Sequence, residues 1–473
     1  MRGHFRYRLF FLPLTVLMFT VPLLPAASTA DPVLSVGEPA LSVNEIVVGV
    51  PLALSGPHEV IGRMARDAYL LGMDDVNSRG GINGLDLKLD IRDTMGRPDI
   101  ARAIVAHFIK DKQYPVVMGG LSSRVTRELA SKCEIYGVPY LSVSGADDSI
   151  TRRGYRGVFR LNPTFSMYAD GIIGFLRDAV RPGKIAVVGE RTSYSARISD
   201  LLAAAGQGAG WIIDRFDYDV GAGMPPSYID RIEEFSPDVV VMFTYPRETV
   251  SIMGTIKGKV SGVRAYIDGL PSPSDPGHFW TGGEGRNGLL SLTIWSPRLQ
   301  FPGAESFSRK YLARFGVEPD YHAAEAYAAV QVVAAALSVA GTLSPGEIRD
   351  ALSKTRLNTV FGPVSFQSVD GYQNQNILPT FVGQWIDGRD EIVWPPEYKT
   401  ADMVIPGVDG LPKNINFVQA HKGLNSAHRA VSERGVPPMS SGLIPLKMST
   451  RSTGRPPILS GNAHPPALLN LLR

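Results

Sequence analysis

The chain has 473 residues, 44% of them hydrophobic, with 48 Lys/Arg against 45 Asp/Glu and a formal charge of +3. That length and apolar content leave room for two lobes, and the small charge excludes the strongly basic profile of a nucleic-acid or membrane-surface binder. Cys133 is the single cysteine, which excludes an intrachain disulfide and any multi-thiolate metal site.

In chain order, Arg2, Arg6 and Arg8 form a basic start, residues 9–24 an apolar run, and Ser28-Thr29-Ala30 a small-residue cleavage site. This is the pattern of a secretory signal peptide over residues 1–30. Pro13, Pro22 and Pro25 interrupt the apolar run, which is short for a membrane span of about 20 residues. No cysteine stands near the cleavage site to carry a lipid anchor, and no later segment reads as long and apolar enough to cross a bilayer. From Glu45, strand and helix alternate. Residues 46–50 read as a strand, and residues 62–77 place Ala65, Ala68, Gly72 and Val76 along one side of a helix that Gly80-Gly81 stops. Strands follow at 87–91, 115–118 and 140–143, with helices at 100–110 and 124–136 between them. Short loops between alternating elements predict right-handed βαβ units around a mostly parallel sheet. The pattern then restarts, with strands at 184–188, 211–216, 239–243 and 264–267 and helices at 196–205, 228–234 and 249–257. Two such α/β lobes would hold a ligand beyond the carboxyl ends of their strands, in the cleft between them. From residue 405 onward eight Lys/Arg face two acids amid Pro, Gly, Ser and Asn, so residues 403–473 read as a disordered basic tail.

Gly119-Gly120-Leu121-Ser122-Ser123 stands where a strand turns into a helix with Val125, Leu129 and Ile135 on one broad face. Unpartnered amides and the dipole at such a helix start suit a ligand carboxylate, with a serine hydroxyl as a further donor. Ordinary N-capping by Ser122 or Ser123 is the other reading. Tyr194 and Tyr245 both occupy strand-end loops of the second lobe, where a tyrosine either offers ring and hydroxyl to a small ligand or packs on a neighbouring loop. No Gly-x-Gly-x-x-Gly dinucleotide fingerprint follows a strand, and the Walker phosphate loop and the nucleophile elbow are missing. Gly206 to Gly210 follows a helix and reads as a turn. His322 and Glu325 share a helix face, but two ligands without a third make no metal site, and packing or solvation accounts for them. Asp147-Asp148 reads as turn chemistry around Gly145. No catalytic residue, metal or cofactor is expected.

Several segments, in their order and spacing, carry a resemblance. They are Pro51-Leu52-Ala53-Leu54-Ser55-Gly56-Pro57, Asp75-Val76-Asn77 with Gly80-Gly81-Ile82-Asn83-Gly84, the serine turn, Val158-Phe159-Arg160 and Lys184-Ile185-Ala186-Val187-Val188. Pro319-Asp320-Tyr321-His322-Ala323-Ala324-Glu325-Ala326-Tyr327, Phe361-Gly362-Pro363-Val364-Ser365-Phe366, Gln384-Trp385 and Val393-Trp394-Pro395 continue it. Over about Glu45 to Ala401 the chain resembles the periplasmic solute-binding proteins of the leucine/isoleucine/valine-binding family.

The resemblance implies a type I periplasmic-binding fold, an α/β architecture of two doubly wound parallel-sheet lobes joined by three hinge crossovers. The N-terminal lobe would take 44–164 and 295–372, and the C-terminal lobe 165–294 and 373–402. In the family's amino-acid binders the position matching Ser123, next to Ser122, holds the ligand carboxylate, and the position matching Ser144 offers a carbonyl to the ammonium. Tyrosines matching Tyr194 and Tyr245 close over the ligand, and an acid near Asp268 pairs with the ammonium. Ala146 stands where a threonine usually contacts both groups, and Ile61 where some relatives carry an aromatic residue, so a carboxylate without an amino group fits as well. The implied function is that of a non-enzymatic extracytoplasmic protein of the periplasm. It would capture an amino acid or related small carboxylate and deliver it to an ABC importer with permease and ATPase on separate chains. A ligand-sensing receptor subunit, using the same cleft to regulate a membrane partner, is the alternative.

Overall fold

The computed structural model describes residues 44–244, 246–270, 288–386 and 389–404. The expected signal peptide and nearly all of the expected tail lie outside the described residues. The first sheet begins with β1 (Glu45–Leu52), β2 (Asp86–Asp93), β3 (Val117–Gly119), β4 (Tyr140–Ser142) and β5 (Val158–Arg160), connected through α1 (Glu59–Asn77), α2 (Pro98–Lys110) and α3 (Ser123–Tyr136). β1 is a nearly unbroken apolar run and lies inside the sheet, whereas β2 alternates Asp, Lys and Arg with apolar residues and lies at its edge. The second sheet repeats the plan. After α4 (Phe165–Phe175) come β6 (Lys184–Glu190), α5 (Ser193–Ala209), β7 (Ile212–Tyr218), α6 (Ser227–Phe235), β8 (Val239–Phe243), α7 (Pro246–Lys259), β9 (Ala265–Asp268) and β10 (Leu289–Thr293). β8 is buried along its whole length and central, and β7, with Asp214, Arg215 and Asp217, forms the edge. Gly206 to Ala209, read from sequence as a turn, completes α5 instead, and Gly210 takes the left-handed C-terminal position at φ 74°.

The chain then returns through α8 (Ala304–Phe315), α9 (Tyr321–Val339) and α10 (Pro345–Ser353), a small hairpin of β11 (Leu357–Thr359) and β12 (Gly362–Val364), and four last strands. These are β13 (Phe366–Val369), β14 (Tyr372–Asn376), β15 (Phe381–Ile386) and β16 (Arg389–Trp394). The sheets read β13-β14-β5-β4-β3-β1-β2 and β16-β15-β10-β9-β8-β6-β7. Each has five parallel strands in the same order plus two late strands at one edge. The chain therefore passes between sheets three times. The third passage falls between Asn376 and Phe381, a few residues later than the boundary expected after 372, because β14 is tied to the first sheet by side-chain amides. Gln375 Nε2 donates to the Asn162 carbonyl at 2.9 Å and Asn376 Nδ2 to the Leu161 carbonyl at 3.1 Å.

α9 corrects a second expectation. Its 19 residues are long and apolar enough, by length and composition, to cross a bilayer. Most of them are buried in the protein instead, packed against α1, where Gly72 lets the helices approach closely: a Cβ on Gly72 would lie 3.1 Å from Val330 Cβ.

β5 ends in Arg160, a fully buried guanidinium. Its Nε donates to Gln375 Oε1 at 2.6 Å, Nη1 to the Asp147 carbonyl at 2.6 Å and Nη2 to Thr151 Oγ1 at 2.6 Å. Burial brings its pKa down to about 10, against the opposing pull of Asp148, so it stays charged at neutral pH. Arg160→Met keeps the aliphatic bulk but strands several buried acceptors. It should lower stability by roughly 2–4 kcal/mol in urea unfolding, and a change within error would show that the bonds are dispensable.

Candidate functional site

In a sheet of this strand order the crevice lies where the order reverses, beyond the carboxyl ends of β1 and β3 in one lobe and of β6 and β8 in the other. The turn after β3 requires its glycines. Gly119 and Gly120 have φ of 128° and 83°, and a Cβ on Gly120 would sit 2.5 Å from Tyr140 Oη. The two serines divide the roles that the sequence left open. Ser122 is the N-cap of α3, accepting from the Val125 amide at 3.4 Å. Ser123 Oγ accepts from the amides of Ala146 and Asp147, both at 3.2 Å. With both lone pairs used, its own proton is left to donate.

Ala146, the position without a threonine hydroxyl, is thus brought against Ser123, and its carbonyl accepts from the Phe165 amide at 2.8 Å. The carbonyl of Ser144 accepts from Asn162 Nδ2 at 3.1 Å, while Ser144 Oγ donates to Glu325 Oε2 at 2.7 Å. Ile61 lies in the first turn of α1, half-buried, past the end of β1. In the second lobe Tyr194 sits in the first turn of α5 and donates to the Gly269 carbonyl at 2.6 Å. Its ring meets Phe165 edge-on at 5.1 Å between centroids, with Phe243 at 6.0 Å and Tyr168 at 6.2 Å. Asp268 is fully buried at the end of β9, accepts from the Leu270 amide at 3.1 Å, and lies close enough to raise the Tyr194 pKa after burial and Tyr168. Tyr245 lies outside the described residues.

Asp147 and Asp148, read as turn residues, differ. Asp147 caps its turn by accepting from the Ser149 amide at 2.8 Å and pairs with Arg127. Asp148 works at the hinge. It accepts from Tyr372 Oη at 2.8 Å, from Ser166 Oγ at 2.9 Å on the first crossing, and from Arg197 Nε of α5 at 3.4 Å. Burial alone would raise its pKa, but the bonds from Tyr372, Ser166 and Thr164 hold it below the ordinary aspartate value.

Glu325 is the residue that sequence patterning undervalued. It is fully buried on α9, and its Oε1 has no hydrogen-bond partner among the described residues. Burial, with the nearby charge of Asp320, pushes its pKa well above the glutamate range despite the Ser144 bond. The available signal is its setting in Ala323-Ala324-Glu325-Ala326, where a helix apolar all round leaves an acid no face toward water. His322 Nδ1 is paired with Asp320 at 2.9 Å.

A family model described as periplasmic binding protein matches residues 45–390, most of the chain. The chain belongs to the periplasmic binding protein family. Membership carries a solute-binding role and an extracytoplasmic place. Leu/Ile/Val-binding protein homolog 8 of Brucella melitensis is 23% identical over 376 residues, covering 76% of this chain and 93% of that protein. Among solved structures, the substrate-binding protein LivJ of Streptococcus pneumoniae in complex with isoleucine aligns with a TM-score of 0.64 at 20% identity, covering 76% of this chain and 100% of that one. A solute-binding protein from Rhodopseudomonas palustris, in complex with 3,4-dihydroxybenzoic acid, aligns with a TM-score of 0.62 at 16% identity, covering 73% and 95%. The two sheets of this periplasmic binding protein are the two lobes of the type I fold.

Because folding raises the Glu325 pKa, the native state holds a proton that the unfolded chain gives up. This group's contribution to stability is full below the ordinary carboxylate range and is lost as pH rises from there toward the native pKa. Glu325→Gln cannot titrate, so its stability relative to the wild type should increase from about pH 5 to about pH 8 in denaturant titrations. A pH-independent difference would mean that Glu325 is not held neutral.

Proposed function

We propose that this periplasmic binding protein is the solute receptor of an ABC importer. It captures an amino acid or a related small carboxylate between its lobes and presents the closed form to a membrane permease whose ATPase is a further chain. The observation that carries this reading is Ser123: a hydroxyl at the start of α3 whose lone pairs are both filled by the Ala146 and Asp147 amides, leaving a donor for an anion. The ligands named with the similar structures, isoleucine and 3,4-dihydroxybenzoic acid, have the carboxylate in common. Tyr194, in the opposite lobe, supports closure over such a ligand, since a molecule touching both lobes stabilises the shut arrangement relative to the open one. The signal-peptide pattern of residues 1–30 agrees with delivery to the periplasm.

Ser123→Ala should weaken binding of carboxylate probes such as L-leucine or 3,4-dihydroxybenzoate by about 1–3 kcal/mol through loss of a charge-assisted hydrogen bond. Isothermal titration calorimetry measures it, and Ser123→Thr, which keeps the hydroxyl, should restore much of the loss. A dissociation constant unchanged in Ser123→Ala would remove this residue from the site.

A further inference from the structure

We infer that Glu325 is the residue with which the cleft reads a cationic nitrogen on its ligand, an inference that rests on the carboxylate-binding reading of Ser123. Its carboxyl is fully buried; Ser144 Oγ occupies Oε2, and Oε1 is left without a partner among the described residues. Native proteins seldom keep a buried carboxyl oxygen unpaired unless something else meets it. Ser144 stands two residues before Ala146, whose amide is bound by Ser123, so one short segment connects the carboxylate anchor to Glu325.

The two positions that the family resemblance implies for an ammonium each already hold a donor from the protein. The Ser144 carbonyl accepts from Asn162 Nδ2, and Asp268 accepts from the Leu270 amide. Around Glu325 stand Tyr69 of α1, Tyr168 of α4, and Tyr321 and Asp320 at the head of α9. None of these is cationic. Asp320 is acidic and is itself held by His322 Nδ1 and the Ala323 amide. The local field therefore favours a positive group, which the protein does not supply from these neighbours. Tyr168 belongs to the helix that opens the second lobe, so a ring of that lobe stands beside the same acid.

Without a cation, burial and Asp320 favour the protonated form of Glu325. When an ammonium enters, the carboxyl gives its proton to solvent and the carboxylate pairs with the ligand nitrogen. One proton is released for each ligand bound. Charge balances, since the carboxylate that forms offsets the ammonium carried in and the released proton takes the remaining positive charge to solvent.

The test uses pairs of probes that differ only in the amine: L-leucine with 4-methylpentanoate, and L-phenylalanine with 3-phenylpropanoate. The wild type should bind the amino acid of at least one pair about tenfold or more tightly than its deaminated partner. Calorimetry in buffers of different ionisation enthalpy should show proton release near neutral pH. Glu325→Gln should lose about tenfold or more for the amino acid and nothing for the deaminated acid, and should abolish proton release. An equal loss for both members marks a structural role and overturns the inference. So does binding by the wild type without proton release, or a preference for the deaminated acids. If Ser123→Ala weakens both members of a pair while Glu325→Gln changes neither, the carboxylate reading stands and the role of Glu325 falls. If the wild type binds no member of either pair, both fall together. The proton measurement on the wild type needs no variant, so poor folding of Glu325→Gln would not shelter the inference.

Discussion

The segment after β4 has one short 3-10 turn, Asp148–Ile150, as its regular structure, and one interior guanidinium helps to hold it in place. Arg160 donates to the Asp147 carbonyl and to Thr151, and through Gln375 it joins that segment to β14. A planar fork of donors can satisfy several acceptors in fixed directions at once, which an ammonium cannot. The contacts proposed for the cleft start from this same segment. Ser123 reaches the amides of Ala146 and Asp147, Ser144 reaches Glu325, and Asp148 reaches the crossing segment. The same segment is also tied to the glycine turn, where the Val143 and Ser144 amides donate to the Gly119 and Gly120 carbonyls at 3.1 and 3.2 Å.

Two kinds of contact stand beside the first crossing between the sheets. Polar ones gather on Asp148, which meets Ser166, Tyr372 and Arg197 from three separate stretches of chain. Arg197 is partly exposed, so its share of that cluster is screened and modest. Aromatic contacts gather inside the second lobe on Tyr194, where Phe165, Tyr168 and Phe243 meet its ring. The polar group joins the first lobe to Ser166 and Arg197, while the rings fasten α4 to α5 and β8 within the second lobe.

Much of the architecture is legible in the sequence because its signals are local. Alternating apolar runs mark βαβ units, and Gly119-Gly120 before two serines marks a strand-to-helix turn whose backbone only glycine tolerates. Which serine caps and which reaches across is not local: it depends on amides more than 20 residues away. Glu325 has the same difficulty in stronger form, since its meaning comes from Ser144, 181 residues distant. Asp148 looks like a turn residue because turns and hinges use the same side chain, and only its partners separate them. β14, Tyr-Gln-Asn-Gln-Asn, has almost no apolar pattern, so the third passage between lobes is set by side-chain amides that no periodicity reveals. α9 misleads in the opposite direction, because periodicity cannot distinguish a helix wrapped by protein from one wrapped by lipid.

The late strands have a consequence for biosynthesis. Each sheet begins early, at Glu45 or Lys184, yet its final edge comes from β13 and β14 or from β15 and β16, after residue 365. Neither lobe can finish its hydrogen-bonded ladder until nearly the whole of the described chain has emerged, and both then finish within about 30 residues of each other. An incomplete nascent chain carries two unfinished sheet edges at once, the state in which strands most readily find wrong partners. The two lobes are independent in their repeated plan but joined in time, because the same stretch of polypeptide completes both.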